Sequence, residues 1–445
     1  LNQSRRGFEF NMPWGNATAT VRWNRLLSDK LFMNALAVFN NYDFEVSGGQ
    51  TQFRFKLQSG IRDWGGKIGF QYYPNTRHNI RFGADYTYHR FTPNIAQAFS
   101  GEDEFTIEPQ RRYAGEAGAY ILDDWTINER WSINFGLRLS MFSQFSPVQQ
   151  SYYGIEPRLS GKCSLSPTSS LKFGATLGNQ YIHLVSNSAT TLPTDLWVPS
   201  SDLVRPQIGA QYAVGYFRNF MDNMLETSVE VYYKDLRNQL DYSESFTQTP
   251  DTDVQEQFIR GTGRAYGVEL LVRKNKGKLT GWVAYTYGRS IRIFDEIQGT
   301  TFPSRFDKPH DLAIVANYDL TKRLNFGATF VFGSGTPYTP IRSIYFIGLS
   351  PVTEYGNRNS ARLPAYHRLD LSVSYELNKE PKAFSSTIVF SVYNAYNRRN
   401  VFFTYTQPES DANTGAVSLK SYRVSLFPVI PSITWNFKFP PARKK

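Results

Sequence analysis

Between Trp131 and Met141 every second residue is apolar: Trp131, Ile133, Phe135, Leu137, Leu139 and Met141 alternate with Ser132, Asn134, Gly136, Arg138 and Ser140. A period of two belongs to a β-strand with unlike faces, because successive side chains leave a strand on opposite sides. The pattern recurs at Leu225, Thr227, Val229, Val231 and Tyr233, which alternate with Glu226, Ser228, Glu230 and Tyr232. It recurs again at Leu369, Leu371, Val373 and Tyr375, which alternate with Arg368, Asp370, Ser372 and Ser374. Helical periodicity is nearly absent. The expected fold class is all-β, with strands that hold one face against an apolar medium and the other against water.

Two architectures use such strands, the soluble β-sandwich and the transmembrane β-barrel, and strand length separates them. The alternating segments run about 14 to 24 residues, whereas sandwich strands are about 5–6. Aromatic residues gather at strand ends: Trp125 and Trp131 flank the turn Thr126–Arg130, and Trp435, Phe437 and Phe439 lie in the last strand. Such girdles sit at lipid headgroups. The longest apolar runs, Ala265–Val272 and Leu312–Ala316, fall far short of the roughly 20 residues a membrane-spanning helix needs. Composition agrees with the barrel: 16% of residues are aromatic, yet the mean hydropathy of −0.43 is that of a water-soluble chain. Averaging a lipid face with a water face gives that combination.

The connections alternate between short and long, as periplasmic turns and extracellular loops do. Short turns are expected at Ser28–Lys30, Asn75–Arg77, Ile127–Arg130, Ser166–Ser170, Met221–Asn223, Asn275–Gly277, Thr321–Lys322 and Asn378–Ala383, all rich in residues that tolerate tight turns. Longer segments are expected at Ser47–Gln50, Pro93–Glu108, Ser146–Gln150, Val185–Val204, Asp241–Gln257, Phe294–Phe306, Thr336–Arg362 and Thr406–Gly415. These boundaries predict about 17 strands, and closed single-chain bacterial barrels use even numbers. An odd count predicts an incomplete sheet, with an open edge near Trp14, or a sheet closed by something else. The opening residues LNQSRRGFEF lack the features of a signal peptide, so a processed or truncated chain is expected.

Several function classes find no support. One cysteine, Cys163, leaves no internal disulfide. The net charge of +11 and pI near 9.4 come from Lys and Arg interleaved with apolar residues, not from a basic helix or stripe, so nucleic acid is not an expected partner. His78, His89, His183, His310 and His367 are scattered, and neither CxxC nor HExxH occurs, so no metal and no cofactor is expected. Asp307, His310 and Asp311 are close enough in sequence for a metal, but at the entry to a strand they read better as hydrogen-bonding rim residues. Gly333–Gly335 lacks the lysine and helix of a phosphate loop. No GxSxG elbow is present, and an enzyme is not expected; a lipase or protease carried on a barrel is the catalytic rival.

Two residue sets carry the site expectation. Arg138, Glu226, Glu230, Glu269, Arg273, Arg368, Asp370 and Lys438 fall on the polar faces of their strands, where they line a water-filled lumen or grip a plug. The longest loop holds Arg342, Tyr345, Phe346, Tyr355, Arg358 and Arg362. Of these, Arg342, Tyr345, Tyr355 and Arg358 are the substrate-binding candidates, a mixture suited to a carbohydrate, a peptide or an anionic metal chelate.

The segments RFDKPHDLAIVANYDLTKRLNFGATFVFGSGTPYTP (Arg305–Pro340) and LPAYHRLDLSVSY (Leu363–Tyr375) resemble the closing third of TonB-dependent outer-membrane transporters, particularly those with an N-terminal carboxypeptidase-regulatory-like domain. FSVYNAYN (Phe390–Asn397) and SITWNFKF (Ser432–Phe439) resemble the same family's last two strands, and Phe82–Pro93, Tyr120–Arg138 and Gly263–Tyr287 are similar as well. The resemblance implies a barrel of about 22 strands around a plug. Residues 1–439 would then supply strands 6–22, with Pro440–Lys445 as a basic tail that the family usually lacks. It further implies location in the outer membrane of a Gram-negative bacterium, a plug and strands absent from this sequence, and a TonB–ExbB–ExbD partner engaged by the absent N-terminal region. A surface lipoprotein is a further partner it allows. The implied function is energised import of a metal chelate, oligosaccharide or peptide. The alternative is a receptor or structural subunit with the same fold that imports nothing.

Overall fold

In hydrocarbon a backbone N–H or C=O without a partner is expensive, so a chain that crosses lipid as strands must pair each strand with its neighbours. The computed structural model describes residues 9–50, 53–100, 103–107, 111–185, 196–243, 253–347, 350–378, 385–410 and 417–438. Its main sheet is one antiparallel meander. The strands are β1 (Trp14–Ser28), β2 (Leu31–Gln50), β3 (Phe53–Asn75), β4 (His78–Ser100), β5 (Arg112–Thr126), β6 (Trp131–Ser146), β7 (Gln150–Ser166), β8 (Ser169–Gln180) and β9 (Gln207–Phe220). They continue as β10 (Leu225–Tyr242), β11 (Phe258–Lys274), β12 (Leu279–Ile293), β13 (His310–Asp319), β14 (Leu324–Gly333), β15 (Tyr366–Glu376), β16 (Ser385–Tyr393) and β17 (Ile430–Lys438). Each pairs with the next, and the short pieces Glu9–Asn11, Asp103–Ile107 and Phe302–Pro303 extend the sheet. The fold is a transmembrane antiparallel β-barrel wall.

Register aligns the faces across strands. Val214, Val231, Val268 and Tyr287 form one row across β9 to β12. One residue along, Gly215, Glu230, Glu269, Thr286 and Asp311 form the row on the opposite face, reaching β13. The apolar face is exposed throughout: Phe135, Leu139, Tyr153, Ile155, Val231 and Leu270 are among its uncovered side chains. A continuous apolar surface of this extent would drive aggregation in water and meets no penalty against acyl chains.

Tight turns close one end of the wall. At Met221, Asp222 and Asn223 the backbone takes φ of 52°, 54° and 59°, a left-handed run in which Asp and Asn are better tolerated than Met. Gly277 at φ 97° turns the β11–β12 connection. The seven predicted turns from Ser28–Lys30 to Thr321–Lys322 fall between consecutive strands. Most of the eighth, Asn378–Ala383, lies outside the described residues.

At the other end β2 and β4 run further than expected, whereas β13 to β17, at 9–11 residues, are shorter than the about 14 or more that the alternation suggested. Ser47–Gln50 is not a loop but the end of β2, paired with Phe53–Lys56 of β3. Pro93–Ser100 likewise belongs to β4, and Asp103–Ile107 folds back along it. The segment from Thr406 is a hairpin in which Val401–Ser410 pairs with Val417–Ser425. A strand needs only about 9–11 residues to cross the bilayer, so these extensions stand clear of lipid as ribbons. Within the longest connection, Ile341–Ile347 pairs with Ser350–Tyr355, another ribbon where a loop was expected. The basic tail Pro440–Lys445 lies outside the described residues.

β1 pairs only with β2, and β17 only with β16; among the described residues no backbone pairing joins β1 to β17. Every residue of both strands is exposed.

The alternation makes a testable contrast between neighbours in β15. Leu371 is 44% exposed on the apolar face, while Ser372 points the other way toward Gly327. Leu371→Arg should cost about 2–4 kcal/mol near the midplane and reduce the yield of heat-modifiable barrel, whereas Ser372→Arg should leave it unchanged. Equal yields from the two variants would contradict the assignment of faces.

Candidate functional site

The polar face organises its charges by pairing them across strands. Arg138 on β6 donates through both terminal nitrogens to Asp85 on β4, at 2.7 and 2.8 Å, in a two-pronged contact. Its Nε lies 4.0 Å from Glu156 on β7, which accepts a hydrogen bond from Ser140 Oγ at 2.6 Å. Gly118, between them on β5, leaves the space the guanidinium occupies, since a Cβ there would stand 2.1 Å from Arg138 Nη2. Next to this network His89 Nδ1 meets Asp63 at 2.8 Å.

The other charges on this face are placed as follows. Arg273 on β11 faces Glu226 on β10 at 3.8 Å. Glu230 and Glu269 are direct cross-strand partners, two carboxylates side by side with Gly215 beyond one and Thr286 beyond the other. Arg368 on β15 is held by Asp370 at 2.9 Å, and Lys438 pairs in register with Ser385 at the foot of β16 and β17. The opposed carboxylates of Glu230 and Glu269 repel unless a cation or water lies between them.

The mouth opposite the tight turns is crossed by connections that fold inward. Ile182–Val185 pairs with Leu196–Pro199 between β8 and β9, and this hairpin packs against β3 and β4 on another sector of the wall. Tyr181 stacks on Phe142 of β6, with centroids 5.3 Å apart, and its hydroxyl meets Ser140 Oγ at 2.8 Å. Phe91, Ala114, Phe142 and Tyr181 form a buried apolar cluster there, and Trp197 and Ile182 pack onto it. The connection after β10 reaches equally far, because Asp253 forms an ion pair with Arg112 at the start of β5. The two connections grip each other: Ser201 Oγ donates to Gln255 Oε1 at 2.7 Å, and Gln255 Nε2 donates to the Pro199 carbonyl at 3.3 Å. Together they cover part of the lumen.

The four substrate-binding candidates separate. Tyr345 and Tyr355 are each 49% exposed on the ribbon beyond β14, and Arg342 beside them makes only a loose 3.8 Å contact with Glu354. Arg358 is a strut: its Nη2 donates to Asp241 at 2.6 Å and to the Tyr242 carbonyl at 3.3 Å. Arg362 is committed too, pairing with buried Asp307 and donating to the Gly335 carbonyl at 3.1 Å. Asp307 also takes Arg289 Nε at 3.2 Å and the Ser290 N–H at 2.7 Å. Its carboxylate is thus a rim fastener, with both oxygens engaged by arginines and one also by the Ser290 N–H. Among the described residues no group of three or more His, Cys, Asp or Glu side chains is arranged to hold a metal.

The sequence assigned no role to Arg112, Asp253, Asp241, Gln255 or Ser201, and counted His183 only among scattered histidines. The first pair is separated by 141 positions, and no local pattern marks either member. His183 alone carried a signal, as a histidine between the apolar Ile182 and Leu184.

A family model described as "TonB dependent receptor-like, beta-barrel" matches residues 2–395. Among solved structures, the ferric yersiniabactin uptake receptor FyuA from Yersinia pestis aligns with a TM-score of 0.69 at 13% identity, covering 97% of this chain and 62% of that one. The siderophore receptor PiuA from Acinetobacter baumannii aligns at 0.67 and 12% identity, covering 96% and 64%. The closed form of the ferric-catecholate import receptor Fiu from K12 E. coli aligns at 0.63 and 12%, covering 97% and 65%. The chain thus spans less than two thirds of each of these structures, and at such identity the likeness is one of fold.

His183 supplies the test of the covering hairpin. It is fully buried, Nε2 lies 2.9 Å from Ser200 Oγ, and burial pulls its pKa from 6.5 to about 4. A depressed basic group must stay neutral when folded, so the hairpin keeps its full stability above pH 6.5 and loses it as pH falls toward 4. Between pH 7 and pH 5 the loss should be about 2 kcal/mol. Protection factors of residues 196–204, which divide out the intrinsic slowing of exchange at lower pH, should fall over that interval, and His183→Asn should leave them independent of pH. Protection factors in the unsubstituted protein that ignore pH would contradict the packing of His183.

Proposed function

The chain belongs to the TonB-dependent receptor β-barrel family, and from that premise we propose that it forms the greater part of the wall of an energised outer-membrane importer. Members of the family are Gram-negative outer-membrane proteins. In the proposed protein, strands and a plug outside this sequence complete a barrel of about 22 strands, with β1 to β17 as strands 6–22. The plug is pulled aside by the TonB–ExbB–ExbD complex, which draws on the inner-membrane proton gradient, and a nutrient captured at the mouth then passes through the lumen. A carboxypeptidase-regulatory-like domain and a surface lipoprotein are further proposed parts.

The observation that carries this reading is the combination of an apolar outer face, an inner face with charges fastened across strands, and a mouth covered by Leu196–Pro199 and Val254–Gln257. A passive pore has no need of a covered mouth; an importer that must hold cargo before moving it does. The names of the structures above, uptake and import receptors among them, favour the same reading. Paired carboxylates at Glu230 and Glu269 would meet cationic plug residues, and Arg342, Tyr345 and Tyr355 would make first contact with cargo. No catalytic role is proposed for any residue.

Two measurements test this. In cells, the full-length gene product should support uptake only when TonB is present; uptake undiminished by its loss would favour a passive or structural role. In a Cys163→Ser background, an impermeant maleimide applied to intact cells should label Tyr345→Cys and spare Lys276→Cys. Labelling at position 276 would overturn the proposed sidedness.

A further inference from the structure

The tops of β13 to β16 enclose a cavity of about 420 Å³, lined by Lys308, Asp311, Tyr366, Tyr393, Phe402 and Phe427 together with the Gly333–Thr336 backbone. Its aromatic walls are fixed in place. Asp370 accepts hydrogen bonds from Arg368 Nε and from the Asn394 N–H, each at 2.9 Å. Arg368 Nη1 then donates to the hydroxyls of Tyr366 and Tyr393, at 2.9 and 2.7 Å, and the guanidinium lies 4.1 Å from the centre of the Tyr393 ring. Asn394, in the left-handed region at φ 53°, donates from its amide to the Phe427 carbonyl at 3.1 Å. Tyr393 and Phe427 consequently stand edge to face, with centroids 6.3 Å apart and planes at 82°. Two perpendicular rings, one held through its hydroxyl and the other carried on a backbone that Asn394 fastens, lose little freedom when a ligand arrives.

The charges left over select the ligand. Arg368 is engaged by Asp370, so the charged side chains open to the cavity are Lys308 and Asp311. Both are exposed, and neither side chain has an ion-pair or hydrogen-bond partner among the described residues. Their sum is zero. A polyanionic metal chelate entering here would meet a carboxylate beside a single uncommitted cation, and would keep too little compensation for its lost hydration. A neutral ring with an apolar face and a polar edge fits instead. Its C–H face packs on Tyr393 or Phe427, its hydroxyls donate to Asp311, and its oxygens accept from Lys308 and Asn400, which also lines the space.

We infer that this cavity binds a neutral sugar ring, so that the cargo class is an oligosaccharide. The inference rests on the reading of the lumen as an import route. Pyranose rings offer the required pairing of faces, and a cavity of this size falls within the range of small-ligand pockets. Asp370 and Arg368 are positioning residues here: they orient Tyr366 and Tyr393 and do not themselves face the sugar.

The test uses the full-length receptor in detergent, titrated calorimetrically with a panel of neutral glucan, xylan, mannan and galactan oligosaccharides and with ferric tris-catecholate as the anionic probe. At least one neutral oligosaccharide should bind, with affinity about tenfold weaker in Tyr393→Ala and in Phe427→Ala and about threefold weaker in Tyr393→Phe, which keeps the ring but loses the bond from Arg368. Heat-modifiable mobility of each variant checks folding, and Phe427→Ala serves where Tyr393→Ala fails to assemble. Absence of any oligosaccharide binding that depends on Tyr393 or Phe427 overturns the inference, as does ferric tris-catecholate binding with that dependence. TonB-dependent uptake without sugar binding contradicts this inference alone, whereas sugar binding with TonB-independent uptake contradicts only the transport reading.

Discussion

The peptide group's demand for a hydrogen-bond partner in hydrocarbon governs this structure. No helix of the described chain is long and apolar enough to cross a membrane, so the demand is met between strands. That choice brings the antiparallel meander, the strict alternation of faces, and turns short enough to return the chain to its neighbour. It also leaves β1 and β17 as edges, each paired on one side among the described residues. An edge in lipid leaves several kcal/mol of unmet hydrogen bonding per group, and the strands proposed to complete the barrel would meet that demand.

Water inside the wall imposes the complementary rule. Charges there are fastened to each other across the sheet: Arg138 to Asp85, Arg273 to Glu226, Arg368 to Asp370. In a wet lumen such contacts contribute modestly to stability, but they fix geometry. Arg368 shows what that geometry does, because one guanidinium held by Asp370 orients Tyr366 and Tyr393 at the rim. At the mouth, packing takes over from charge. Tyr181 on Phe142 and the buried His183 hold a hairpin across the opening, far from the strands that carry it.

The wall was legible in the sequence because its signal is local. A lipid face and a water face repeat every second residue, so Trp131–Met141 announces its orientation without reference to anything distant. Turn positions were legible for the same reason. Ser47–Gln50 and Pro93–Ser100 misled because, once a strand leaves lipid, the apolar alternation ends while the pairing does not; loss of the pattern was read as loss of the strand. Arg358 misled differently, since its partner Asp241 lies 117 positions away, and composition cannot tell a strut from a ligand. Arg112 with Asp253, and Tyr181 with Ser140, meet only because connections fold back over strands they do not adjoin. Contacts of that kind come from the tertiary fold and leave no trace in any window of sequence.

The most direct measurement of the whole account is a spin-label scan of residues 131–141 in the full-length protein in lipid bilayers. Labels at 131, 133, 135, 137, 139 and 141 should respond to dissolved oxygen, which concentrates in lipid, and those at 132, 134, 136, 138 and 140 to a water-soluble nickel chelate. Eleven labels that answer to the same relaxant, or that vary with a period near 3.6 residues, would contradict a lipid-facing β-barrel wall.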